Sequence, residues 1–130
     1  MSAERTVAQW FCLVGGGLLA LRGTIGVAMD PDFGTPGEGW HQLFHLLSGV
    51  LLVAVAVVGR PRPALLATFG FAAVYGAITL GGIAGMSDVA GIIPVEASDN
   101  RIHAFFTLGA LAVGIATLVR EGREPAATAT

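Results

Sequence analysis

Three histidines carry most of the chemistry this chain offers. His41 and His45 stand four residues apart, the spacing that sets two side chains on one helix face. His103 follows His45 by 58 residues and sits in a comparable context. Trp40-His41-Gln42-Leu43-Phe44-His45 in one place corresponds to Ser98-Asp99-Asn100-Arg101-Ile102-His103 in the other. A neutral imidazole can ligate zinc, copper or haem iron, pass a proton, or simply hydrogen-bond.

Four readings follow. In the first, His45 and His103 hydrogen-bond across helices and fix their register. In the second, a transition metal is held by His45 and His103, with His41 as a third ligand, although no Cys or Glu completes a recognised spacing. In the third, His45 and His103 clasp a haem edge-on between two helices. The fourth is an ion or proton path, which lacks an acid to continue a relay through the other half of the chain's spans. Arg22, Asp99 and Asn100 border the same layer. The candidate polar or ligand site is therefore Arg22, His41, His45, Asp99, Asn100 and His103, with no catalytic residue named.

Catalytic templates are absent. There is no P-loop and no H-E-x-x-H motif. Gly-x-Ser-x-Gly is missing too. Gly15-Gly16-Gly17 lies inside an apolar run rather than after a strand. Cys12 is the only cysteine, which excludes an internal disulfide and a Cys-based zinc site and leaves a packing residue. The leading expectation is a non-enzymatic accessory or small-ligand-binding component with no required cofactor. The alternatives are a haem- or metal-binding redox protein using His45 and His103, and an oligomeric transport or channel subunit.

The elements that must position these residues follow from composition. Of 130 residues, 54% are hydrophobic and 12% charged, with mean hydropathy +0.74. A soluble domain carries about a quarter charged residues, so the main partner of this surface is the lipid bilayer. A net charge of -2 gives no footprint for nucleic acid. Four apolar stretches, each near the ~20 residues that cross a bilayer, predict helices over about 7–28, 36–59, 63–86 and 100–120. Backbone polar groups must be satisfied internally in lipid, and no strict period of two argues for barrel strands. The expected fold is all-α: a four-helix transmembrane domain over residues 1–120, followed by a flexible polar tail over 121–130.

Local signals refine the boundaries. Thr35-Pro36-Gly37-Glu38 reads as a capping box with Pro at the first helical position. Pro63 reads as opening the third helix, and Asp99 as the N-cap of the fourth. The first stretch lacks a convincing A-x-A cleavage site and is broken by Arg22, so it reads as a span rather than a signal peptide. Arg5, Arg60, Arg62, Arg120 and Arg123 flank the termini and the middle loop, while Met29–Glu38 and Ser87–Asp99 hold no basic residue. The positive-inside rule then predicts a multi-pass plasma-membrane protein with both termini cytoplasmic. The histidine layer would face outward, with Arg22 about 9 Å and His45 roughly 7–8 Å below that surface. Trp10 and Trp40 fall near opposite interfaces, and Tyr75, near mid-span, needs a partner for its hydroxyl.

An internal repeat joins the halves. Leu21-Arg-Gly-Thr-Ile-Gly26 corresponds to Leu80-Gly-Gly-Ile-Ala-Gly85, which makes two helical hairpins about a pseudo-two-fold axis along the membrane normal. Gly49 and a stripe of Ala73, Ala77, Gly81 and Gly85 suit close helix packing, within the chain or against a second copy or another membrane protein.

His45-Leu-Leu-Ser-Gly49 at the start of an apolar helix, with Pro94 and Ser98-Asp99-Asn100-x-x-His103 opening the last one, resembles the domain of unknown function 4383 family. The resemblance covers the chain apart from its tail. It implies a small four-helix bacterial membrane protein, and the all-arginine basic usage is similar to that of high-GC sources. It implies no activity. The family's H-x-x-x-G pattern in both even-numbered helices is matched by His45 and Gly49, whereas Thr107 stands in place of the second Gly. His41 stands where the family pattern carries Asn.

Overall fold

The computed structural model describes residues 4–123. Four helices are long and apolar enough to cross a membrane: α1 (Val7–Met29), α2 (Glu38–Val58), α3 (Pro61–Ile83) and α4 (Ala97–Arg123). The chain is an all-α four-helix bundle and a multi-pass membrane protein. Its outward surface is apolar, with Leu21, Leu47, Leu51, Leu66, Phe105 and Leu108 more than half exposed, where lipid tails replace water.

α1 opens on a full capping box. Thr6 Oγ1 accepts from Gln9 N–H and Gln9 Oε1 accepts from Thr6 N–H. Phe11–Gly15 winds as a π-helix inside α1. That wider turn buries Cys12, whose thiol lies 3.5 Å from the Ala64 carbonyl and 3.6 Å from Thr68 Oγ1. Ala8 N–H donates to Thr117 Oγ1 at 3.1 Å, tying α1 to α4 at the same end of the bundle.

α2 ends at Gly59, whose left-handed φ of 77° turns the chain, and Arg60 already caps α3 with Pro61 as its first residue. α3 thus starts at Pro61 rather than Pro63, because Pro61 has no N–H to lose at that position. α2 starts at Glu38 rather than 36, and the expected Thr35 capping box does not form. Main-chain carbonyls serve instead: Gly39 N–H donates to Asp32 O at 2.7 Å and Trp40 N–H to Gly37 O at 3.2 Å. α4 starts at Ala97, ahead of Asp99, so Asp99 does not occupy the N-cap. Its carboxylate reaches back from the first turn to accept from Glu96 N–H at 2.9 Å. α4 also runs to Arg123, three residues into the expected tail; the rest of that tail lies outside the described residues.

The segment between α3 and α4 is not all loop. Strands β1 (Asp88–Val89) and β2 (Ile93–Pro94) pair antiparallel with Val89 opposite Ile93. This hairpin is tied to the other loop at the same end, since Gly37 N–H donates to Ile92 O at 3.0 Å.

Each helix pairs mainly with its chain neighbour, α1 with α2 and α3 with α4. In the first hairpin the main chains touch: a methyl group on Gly23 would overlap Leu46 N and the Gln42 carbonyl, and one on Gly49 would overlap Ala20 N. The stripe expected on α3 is one position out of phase. Ala73 and Ala77 are exposed, Gly81 meets the Met86 side chain, and Gly85 lies past the helix end at φ 99°. The face that meets α4 passes through buried Ala72, Gly76, packed on Thr107, and Gly82, packed on Asn100. Between the hairpins, packing leaves space: a cavity of about 340 Å³ lies between α2 and α3, lined by Phe44, Leu51, Gly70 and Val74 among others.

Candidate functional site

The site lies at the end of the bundle that carries the acidic loops. The first two turns of α2 place His41 and His45 on its inner face, four residues apart. The second turn of α4 places His103 opposite them. All three are buried, with 2%, 8% and 4% of their surface exposed. One ring nitrogen from each lies within 4.8 Å of the others. His45 Nε2 and His103 Nε2 are 3.4 Å apart, a contact in which one nitrogen donates and the other accepts. The rings of His41 and His45 are 4.5 Å apart, and His103 stands 5.7 Å from each.

Their remaining nitrogens are orphaned. His45 Nδ1, His103 Nδ1 and both nitrogens of His41 are buried without a hydrogen-bond partner among the described residues. His41 Nδ1 lies 3.2 Å from Glu38 Oε1 and 3.9 Å from Asp99 Oδ2, close but poorly angled for a hydrogen bond. An unpartnered buried polar group costs about 1–3 kcal/mol, and an ion held on Nε2 of each ring would relieve only that of His41, leaving His45 Nδ1 and His103 Nδ1 as they are.

A polar relay runs along the α1–α2 seam. Arg22 Nη1 donates to Gln42 Oε1 at 3.1 Å, and Gln42 Nε2 donates to Glu38 Oε1 at 2.7 Å. Glu38 is thus held facing His41. Gln42 fits there because Gly26 presents no side chain to it.

Beneath the histidines lies a cavity of about 310 Å³. Arg22, His41, His45, Asp99 and His103 all border it. Five of the six residues singled out from the sequence therefore share one space. Asn100 does not: it turns onto Gly82, with Oδ1 buried and unpaired. The opposite wall is apolar, from Leu18 and Leu19 of α1, Phe71 of α3 and Phe106 of α4.

Sequence reasoning missed part of the site. Tyr75 is 2% exposed, its ring 5.2 Å from His103 and stacked at 6.2 Å on His45, and its hydroxyl is turned toward Ser48. Its mid-span position gave notice that it needed a partner, but α3 is apolar on every side, so no periodicity pointed it toward the histidines. Glu38 was hidden by its reading as a capping residue.

The arrangement fits an ion better than a macrocycle. Two nitrogens each ~2.0–2.1 Å from a tetrahedral ion stand roughly 3.3–3.4 Å apart, which matches the His45–His103 separation. A haem would have to pass between those two nitrogens, and the His41 ring packs against the flank of both.

Comparison with curated proteins and with solved structures finds no significant match. The model of one family, described as a domain of unknown function, matches residues 33–116, a stretch that holds α2, α3, the β-hairpin and most of α4, and with them all three histidines. The chain belongs to the domain of unknown function 4383 family.

Proposed function

We propose that this is a metal-binding integral membrane protein that holds one transition-metal ion of the zinc or copper class on His41, His45 and His103. The observation that carries the reading is the set of three buried imidazoles that bring one nitrogen each within 4.8 Å of the others. Imidazole suits both ions. Glu38 and Asp99, facing His41 Nδ1, supply the carboxylate that orients many metal-bound histidines and leaves Nε2 free for the ion. The protein acts as a binding or accessory component: no catalytic template accompanies the site.

The test is elemental analysis of untagged protein in lipid nanodiscs after equilibration with zinc and removal of excess. One ion per chain is the expected result, lost in His45→Ala and His103→Ala variants that still fold. Folded wild-type protein that retains no zinc or copper would overturn the reading. The histidines would then be a hydrogen-bonded register lock, as the 3.4 Å His45–His103 contact allows.

The orientation belongs to the same proposal. Arg60 caps α3, Arg120 and Arg123 close α4, and Arg5 shares a small cavity with Arg120, so these arginines gather at the end opposite the histidines. That asymmetry supports a plasma-membrane protein with both termini cytoplasmic and the metal layer near the outer face. In a Cys12→Ser background, Gly34→Cys should label from outside intact cells and Arg60→Cys should not. The reverse pattern would invert the topology.

A further inference from the structure

We propose that the ion keeps one open coordination position, turned into the cavity beneath the histidines, and that this position takes a small monodentate anion. The inference rests on the metal reading above.

Three lines of observation carry it. The donor cluster among the described residues consists of His41, His45 and His103 alone. Three protein ligands with a free fourth position are the mark of a reactive or exchanging zinc site rather than a closed structural one. Glu38 and Asp99 do not belong to the cluster: they lie against His41 Nδ1, and they accept from the Gln42 amide and from Glu96 N–H.

The second line is space. The adjoining cavity of about 310 Å³ is several times the ~30 Å³ share of one water. Leu18, Leu19, Phe71 and Phe106 line its far wall and offer no ligand atom, and Asp99, the carboxylate on the cavity wall, already accepts from Glu96 N–H.

The third line is charge. Three neutral imidazoles carry none of a divalent ion's charge, and the nearby Glu38 and Asp99 carboxylates are shared with Gln42 and with Glu96 N–H, so part of that charge is left without a direct partner in an apolar bundle. An anion on the fourth position pairs it. One group on the cavity wall recognises such a ligand: the Arg22 guanidinium, bonded so far only to the neutral Gln42 amide. The apolar wall restricts the ligand to a few atoms.

The experiment uses full-length protein loaded with cobalt(II), whose visible spectrum reports coordination, titrated with sodium azide. The expected result is a saturable spectral change in wild type. Leu19→Trp and Phe106→Trp, which fill the cavity from α1 and from α4, should keep cobalt and weaken azide binding at least tenfold. Arg22→Gln should keep cobalt and weaken azide severalfold. A cobalt spectrum that saturating azide leaves unchanged overturns the open position while sparing the metal site. Unaltered azide binding in whichever cavity-filled variant folds overturns the route through the cavity. Failure to bind cobalt at all removes the metal reading and this inference with it.

Discussion

In the α1–α2 hairpin, Gly23 and Gly49 let main chain meet main chain. In the α3–α4 hairpin, Gly76, Gly82 and Gly114 instead receive the side chains of Thr107, Asn100 and Phe69. The first kind of contact has nothing that can rotate away. The second can adjust by a change of rotamer. The same division runs through the site. The first hairpin contributes His41 and His45 together with Arg22, Gln42 and Glu38, these last three joined by two hydrogen bonds, while the second contributes His103, Tyr75 and Asp99, which share none. One half is a preformed platform and the other is fitted to it. Two helical hairpins of one bundle can therefore differ in stiffness, since glycine placement decides which contacts are backbone and which are side chain.

The comparison can be broken or sharpened in four steps. The largest effect is expected at Gly23. Gly23→Leu should cost about 3 kcal/mol, read by denaturant or steric-trap unfolding in bicelles, because neither Leu46 N nor the Gln42 carbonyl can move aside. Gly82→Leu should cost about 1 kcal/mol, since Asn100 can swing away. Equal losses would erase the distinction between the hairpins. Next, Glu38→Gln should weaken zinc binding roughly tenfold and Asp99→Asn only about twofold, because the carboxylate nearer to His41 Nδ1 belongs to the first hairpin. Competition against a zinc dye measures both, and the opposite ranking would move the orienting role to α4.

A smaller effect is expected at Gly85. It corresponds to Gly26 in the repeat but sits outside the helix at φ 99° with open space around it. Gly85→Ala should cost about 1 kcal/mol through backbone strain alone and leave metal binding intact. The smallest is Gly76→Ala: the new methyl would lie about 3.1 Å from Thr107 Cγ2, so a change of roughly 0.5 kcal/mol is expected. A loss as large as that at Gly23 would mean the second hairpin is as rigid as the first.

The spans were legible because hydropathy over some twenty residues leaves lipid as the sole partner for α1 to α4. The histidine layer was legible for a local reason: the i, i+4 pair lies at the start of one span and His103 at the start of another. Boundaries were less so. Pro63 and Asp99 carry the right chemistry for a helix start, but Pro61 and Glu96 stand nearer the true ends and take those positions. Helix phase was least legible of all. The stripe of Ala73 and Ala77 looks like a packing face until Ala72 and Gly76 are seen to meet α4, because an all-apolar helix carries no polar side to set its rotation. Tyr75 escaped assignment to the site for that same reason.

The two-residue turn at Gly59 and Arg60 joins the hairpins like the pivot of a pair of tongs, with the histidines set in the jaws. His45 lies fourteen residues up α2 from that pivot, so about 21 Å at 1.5 Å per residue. A rotation of roughly 5° at the turn carries it through about 2 Å at that radius. The His45–His103 contact is only 3.4 Å long, so a movement too slight to unpack either hairpin is enough to make or break it.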